Sequence, residues 1–546
     1  MSGQLLFSAS ILTVGLLLAG NHFTATLSDT TPNVTLFPPR RAARLTLSDT
    51  TPNVTLFPPR RTTDLIVSDV NDVTIFLIMA QQAELPVFYE VVKPALSLAI
   101  DRARILYPNL RFHLVARKDE NPCVHNVAGA LAAEEFYLRK VDVIVGPACS
   151  LALDPVARMA SYWNIPIFTG GGIGVEFAKK QTYTSLTRMA FSLDRVSHFL
   201  VKVIRENDWH HVSLIVDETE MSNTLIKVSL QAVFKEIEFG HEINLDIQTF
   251  TRRDNSTVNY QKILKQSARA ARVFILISTG ELVRHLLLEA YELGMNNGEY
   301  AFFGVELVKS TGTSGDFSWY QSGDKRNKQA REMYESLMMV MVRVPTSPEY
   351  ATFTHKVTQM AVDEFGGKTI IEQVNPIVAA FYDCILMYAW AYNKTLAVGG
   401  DPRDGRTLAR RLWDNTFKDG LTGDISINEN GDREADYTLN DLDPETGIMR
   451  PVATYYGARR LYEKIQGFEV VWPGGKKTAP PDVPYCGFTG DAPHCVVKDP
   501  FPIWATILII FFCITIIGFI VTFFVSKKMK YEADLADLWW KVCYDG

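Results

Sequence analysis

The stretch Ile503 to Val525, IWATILIIFFCITIIGFIVTFFV, constrains this chain more than any other: it holds 23 residues without a charge. A helix of that length reaches about 35 Å at ~1.5 Å per residue, enough to cross the hydrocarbon core of a bilayer. Lipid offers the backbone no hydrogen-bonding partner, so a lone apolar stretch of this kind crosses as a helix. Lys527, Lys528 and Lys530 follow at once, whereas Lys498 and Asp499 precede it. Basic residues gather on the cytoplasmic side, which puts the long amino-terminal part outside and residues 526–546 inside. A second apolar run, Leu5 to Gly20, is shorter and sits where the apolar region of a signal peptide belongs, although no basic residue precedes it. Residues 1–25 are therefore expected to be a signal peptide and residues 503–525 the one transmembrane helix.

The cysteines agree with a secreted face. Cys123, Cys149, Cys384, Cys486 and Cys495 precede the span, Cys513 lies within it and Cys543 after it. Five thiols in an oxidising compartment allow two bridges and one cysteine left over. Cys384, inside the apolar IVAAFYDCILMYAWAY, reads as a buried free thiol. Arithmetic does not choose the pairs, though Cys486 and Cys495 are close enough to close a small loop. Glycosylation sequons at Asn33, Asn53, Asn255 and Asn393 all fall on the same side. The net charge of −6 gives no electrostatic footprint for nucleic acid, and none is expected as a partner.

Residues 26–63 contain an internal repeat: TLSDTTPNVTLFPPRR occurs at Thr26 to Arg41 and again, unchanged, at Thr46 to Arg61. Two short Thr- and Pro-rich copies cannot stack into a solenoid, and they read as an exposed leader. From Asp64 the pattern turns to alternating strands and helices. VTIFLIM, RFHLVAR, VDVIVG, IPIFTGGG, HVSLIVD and ARVFILIST read as strands. YEVVKPALSLAIDRARI, AGALAAEEFYLRK, PVARMASYW and KVSLQAVFKEI read as helices, with Pro94 discordant unless it lies in a first turn. Such alternation gives parallel sheets covered by helices, and roughly 400 residues of it exceed one sheet, so two α/β lobes are expected over residues 64–480. Ligands of open α/β sheets gather at the carboxyl ends of strands, which makes the loops after Val145 and Phe168 cleft candidates.

Chemistry is sparse. There is no HExxH, no GxSxG and no Walker-type loop. His210 and His211 have no convincing companions for a metal and read as exposed histidines at a helix end. The tail from Ser526 to Gly546 is too short for a core of its own. Within it, KYEADLADLWWKV places Leu535, Leu538, Trp539 and Val542 at helical spacing, as a membrane-surface helix or the start of a coupling helix would.

Several blocks are specific enough to carry a resemblance. GPACSLALDPVARMASYWNIPIFTGGG (Gly146 to Gly172), ELGMNNGEYAFFGVEL (Glu292 to Leu307) and GDISINENGDREADYTL (Gly423 to Leu439) resemble natriuretic-peptide receptors and their receptor guanylate cyclase relatives. So do WPGGKKTAPPDVPYCGFTGDAPHC (Trp472 to Cys495) and KKMKYEADLADLWWKV (Lys527 to Val542), which look closer to the cyclase-linked receptors than to the short-tailed clearance receptor. The resemblance spans about residues 64 to 543. It implies an α/β fold: a bilobed ectodomain like the type I periplasmic binding proteins, two lobes joined by three crossings, plus one transmembrane helix. It implies a dimer, either of this chain with itself or with a full-length receptor. It pairs Cys123 with Cys149, and Cys486 with Cys495 in a juxtamembrane loop over residues 481–502. A second-lobe disulfide of the family has no match here, since DETEMSNTL and FILIST contain no cysteine.

No cofactor is expected beyond a chloride. The resemblance implies an anion site at the backbone N–H groups of Ala148 and Cys149, but ARKDENP (Ala116 to Pro122) lacks the family's serine, and a turn that needs no ion explains the segment as well. Peptide-binding relatives carry a tyrosine where this chain has Leu151, so its ligand is not expected to be a close copy of a vertebrate natriuretic peptide. The expected function is a plasma-membrane receptor for an extracellular ligand, a peptide, which in full-length relatives controls cyclic GMP synthesis. The alternatives are a clearance or decoy receptor without signalling domain and a small-molecule sensor of the same fold. No residues in this chain match the relatives' kinase-like and cyclase domains, so as it stands it is not expected to be an enzyme.

Overall fold

The structure is a computed structural model that describes residues 71–81, 87–119, 125–235, 243–252, 258–310, 312, 314–366, 374–495 and 502–538. The expected signal peptide, the repeated leader, Cys123, Cys543, Asn33, Asn53 and Asn255 lie outside the described residues.

The first lobe opens with β1 (Asn71–Ala80), α1 (Tyr89–Leu106), β2 (Leu110–Asp119), α2 (His125–Leu138), β3 (Val143–Val145), α3 (Ser150–Trp163), β4 (Ile167–Thr169) and β5 (Leu186–Arg188). Its five strands are all parallel, in the order β2-β1-β3-β4-β5. Side chains alternate across a strand, and here both faces are covered. Ile75 and Leu77 of β1 enter the core beneath α1, while Phe76 and Ile78 enter the one beneath α2 and α3. Each is fully buried, which stabilises the fold by roughly 1.5–3 kcal/mol per side chain.

The chain then crosses through residues 189–192 into the second lobe. This contains α4 (Leu193–Glu206), β6 (His211–Asp217), α5 (Met221–Lys235), β7 (Asn244–Phe250), α6 (Tyr260–Ser267), β8 (Val273–Ile277), α7 (Gly280–Glu292), β9 (Ala301–Glu306), α8 (Asn327–Tyr334) and β10 (Leu337–Val342). A second crossing, 343–347, returns to the first lobe for α9 (Pro348–Phe365), α10 (Pro376–Ala397), α11 (Gly405–Arg410) and the hairpin β11 (Asn415–Gly420) and β12 (Gly423–Ile427). A third, 428–436, leads back to β13 (Tyr437–Leu442), β14 (Met449–Tyr456) and β15 (Leu461–Lys464). The second sheet is β15-β14-β13-β10-β9-β8-β6-β7, parallel from β7 to β10 and antiparallel beyond. β8 repeats the two-faced pattern: Val273, Ile275 and Ile277 pack on one side, Phe274 and Leu276 on the other.

Caps fix where the two long first-lobe helices begin. Ser347 accepts from the N–H of Tyr350 and Pro348 opens α9; Asn375 accepts from Ile377 and Val378 and Pro376 opens α10. Pro94 is not in a first turn: it is the sixth residue of α1, and the helix runs through it because α9 and α10 pack along its length. Finally, α12 (Ile503–Leu538) is one continuous helix of 36 residues, longer than the expected span of 503–525, with the lysines and part of the expected tail helix in line with the apolar turns. It is apolar enough to cross a membrane and none of its apolar window is buried in protein.

Candidate functional site

The three crossings come together around a cavity of about 810 Å3. Met189 to Phe191 of the first crossing, Arg343 and Pro345 to Ser347 of the second, and Arg433 to Asp436 of the third all line it. The first turns of α10 and the β11–β12 hairpin close its first-lobe side. A change in the angle between the lobes has to pass through these same segments.

Beside it a buried ion cluster ties the end of β5, where the first crossing begins, to the third crossing. Arg188, at the end of β5, donates from Nε to Asp432 Oδ1 at 2.7 Å and from Nη2 to Oδ2 at 2.6 Å. Its Nη1 reaches the carbonyls of Gly172 at 2.8 Å and Gly174 at 2.6 Å. Lys180 Nζ adds a third cationic contact to Asp432 at 3.2 Å. Backbone hydrogen bonds from Arg188 to Gly431 and from Arg433 to Arg188 run alongside. Burial alone would raise the Asp432 carboxyl, but Arg188 and then Lys180 hold it below its ordinary value. Lys180 is pushed down to about 8 by burial, with Asp432 opposing.

Next along the third crossing, Arg433 donates to Thr422 Oγ1 at 2.5 Å and stands 3.9 Å from Asp383 of α10. Asp383 also accepts from the N–H of Leu421 and the hydroxyl of Thr422. Burial raises the Asp383 carboxyl and lowers the Arg433 guanidinium, each partly offset by the other. On the second-lobe side, Arg195 pairs with Glu434 at 2.7 Å and Arg343 with Asp436 at 3.3 Å. These pairs position the crossings against the two lobes. Among the described residues, no group of three or more His, Cys, Asp or Glu is placed to hold a metal ion.

The chain matches the model of the family described as receptor family ligand binding region over residues 91–445. It belongs to that family. The chain is 28% identical over 392 residues to Atrial natriuretic peptide receptor 3 of Homo sapiens, covering 70% of each chain. Against Atrial natriuretic peptide receptor 2 of Rattus norvegicus it is 27% identical over 470 residues, covering 83% of this chain and 43% of that one. The matched region of the ligand-binding family takes in all three crossings and the cavity between them.

The residues singled out by sequence fall in different places. Ala148 and Cys149 immediately precede α3, whose leading N–H groups and positive dipole end favour negative charge. Cys149 is disulfide-bonded. Cys486 and Cys495 are joined, and Cys384 is a buried free thiol. Asn393 is half-buried on α10, where its side chain accepts from Asn109 at 3.4 Å. Leu151 is exposed in the first turn of α3.

Two expectations are corrected. The loops after Val145 and Phe168 do not line the hinge cavity. They pack on each other and on α10 so tightly that a Cβ on Gly171 would lie 2.2 Å from the Ala148 carbonyl oxygen, and one on Gly170 2.5 Å from Phe381. His210 and His211 are not at a helix end either: α4 stops at Glu206, and His211 begins β6, with Asp482 bonding both residues. Sequence reading missed Arg188, Lys180, Asp383 and Asp432. The one available signal was a charge inside the apolar run LTRMAF, because an arginine there is buried only with an anion beside it.

Proposed function

We propose that this chain is a single-pass cell-surface receptor, amino terminus outside, whose two-lobed domain binds an extracellular peptide and passes a change in lobe angle to α12. The observation that carries the reading is the sequence of a ligand-binding-family domain hinged on three crossings, followed by one exposed apolar helix with lysines at its carboxyl side. The peptide class rests on the relatives, which are named as natriuretic peptide receptors. In a longer chain of the Atrial natriuretic peptide receptor 2 kind, the same change would control cyclic GMP synthesis. Without further domains it would serve clearance. Independent transcripts decide: reading in frame past Gly546 into a kinase-like domain supports signalling, and a stop codon in each supports the short receptor.

The chain is also proposed to work as a dimer through α2 and α3. Tyr137 and Leu138 are each 65% exposed and Tyr162 is 69% exposed, next to Phe136 and Trp163 stacked at 4.1 Å. An exposed apolar face of this kind suits a two-fold interface, in which the same patch meets itself. Chloride before α3 belongs to the same proposal; the backbone donors of the helix end would hold it, and loss of ligand binding in chloride-free buffer tests it.

A second reading has its own support. The hinge cavity falls within the roughly 300–1,000 Å3 usual for small-molecule sites, and it mixes apolar walls with paired charges. Purified chain in lipid nanodiscs, titrated with peptide extracts and with free amino acids, separates the two. Saturable binding of a peptide fraction supports the proposal; saturable binding of amino acids with none of peptide overturns it.

A further inference from the structure

The second lobe has two active edges. The hinge leaves from the carboxyl end of β10, whereas the segment leading to α12 lies against the opposite, amino-terminal edge of the same parallel strands. There, Asp482 makes a three-point contact. Its Oδ1 accepts from the backbone N–H of His210 at 2.8 Å and of His211 at 2.9 Å, and its Oδ2 lies 2.8 Å from His211 Nδ1. Those N–H groups stand just before and at the first ladder position of β6, so the carboxylate supplies an acceptor for that strand end. On the near side, the fully buried Trp209 donates from Nε1 to the carbonyl of Pro480 at 2.8 Å and meets Trp472 edge to face.

A second anchor comes from inside the disulfide loop. Phe488, two residues after Cys486, sits between the His211 ring, 5.1 Å away, and the Arg272 guanidinium, 5.3 Å from its centroid. Arg272, which directly precedes β8, stacks also against Tyr300, which precedes β9. The loop therefore contacts the starts of β6 and β8 directly, and through Arg272 is linked to the start of β9. Its own frame is closed by the Cys486–Cys495 bond and by hydrogen bonds from Ala492 to Cys486 and from Cys495 to Ala492. Pro480 and Pro484, both buried, bracket Asp482 and leave it little freedom to swing away.

We propose that Asp482 and Phe488 dock the Cys486–Cys495 loop onto the amino-terminal edge of the second lobe, so that this lobe and the loop move as one body and deliver hinge motion towards α12. The role is one of positioning, and its meaning as signalling rests on the receptor reading above. Asp482 fixes the entry of the loop and Phe488 fixes its tip. Neither anchor lines the hinge cavity.

The test is hydrogen exchange by mass spectrometry on the full chain in lipid nanodiscs, with no ligand added. Asp482→Ala is expected to speed exchange at least tenfold in peptides covering 207–212 and 484–495, while 273–277 in β8 keeps its wild-type rate. Phe488→Ala is expected to speed 484–495 alone. Glu469→Ala, which removes only an exposed pair with Lys477, serves as the control and stays as wild type. Wild-type protection of 484–495 in both anchor variants overturns the proposal. So does a rise in β8 exchange equal to that in the loop, which would mean that the variants loosen the whole lobe. Because no ligand enters the experiment, failure of the peptide-receptor reading leaves this result untouched.

Discussion

Replacing Asp432 with alanine tests whether the hinge is held by its buried ion cluster. Arg188 is almost wholly inaccessible, and two of its nitrogens end on the two oxygens of Asp432 at 2.7 and 2.6 Å. The variant strips that carboxylate from Arg188 and from buried Lys180 at once. Removing one partner of a buried pair costs about 3–5 kcal/mol, because the remaining charge stays desolvated without compensation. Two carbonyls still accept from Arg188 Nη1, so the lower half of that range is expected. Urea unfolding of the full chain in detergent, followed by tryptophan fluorescence at pH 7, gives the number. Glu206→Ala breaks the half-exposed Lys202–Glu206 pair and should cost less than about 1 kcal/mol. The folded Asp432 carboxyl lies below its ordinary value, so its contribution is present above the unfolded pKa, about 4, and is lost as pH falls through the folded one. If Asp432→Ala were no more destabilising than Glu206→Ala, the cluster would not hold the crossings together.

Three further outcomes are expected. Gly171→Ala should destabilise by about 1–3 kcal/mol in the same unfolding assay, because its methyl collides with the Ala148 backbone. Burial pushes the Asp441 carboxyl up to about 7, so the folded state holds a proton that the unfolded state has released between about pH 4 and 7, and stability falls as pH rises across that window. Asp441→Asn keeps an acceptor for the Val471 N–H and should stabilise by on the order of 2 kcal/mol at pH 8 but not at pH 4.5; equal effects at both would contradict this. Tyr137→Glu with Tyr162→Glu should shift the chain from dimer to monomer in sedimentation equilibrium while leaving its unfolding midpoint near that of wild type.

Where local pattern decides structure, the sequence was readable. VTIFLIM and ARVFILIST announce strands covered on both faces, and the β1 and β8 side chains do divide between two cores. The uncharged run from Ile503 is likewise a local property, although α12 continues past it because the following residues include several good helix formers, Lys, Met, Ala and Leu. What was not readable depends on distance along the chain. Arg188 and Asp432 are 244 positions apart, and the cavity takes its walls from three crossings that no spacing rule connects. His210 and His211 were misread for the same reason: their partner, Asp482, stands about 270 residues later. Strand-end loops were assigned to the cleft from a general rule, and close packing of Gly170 and Gly171 overrode it.

The central claim, a ligand-binding domain held outside the cell by α12, is tested most directly on intact cells expressing the full chain. Peptide-fraction binding should be saturable at the cell surface, should vanish when external protease is added, and should leave a membrane-embedded fragment containing Ile503 to Val525. Binding that appears only after permeabilisation, or a two-lobed domain that resists external protease until then, would contradict it.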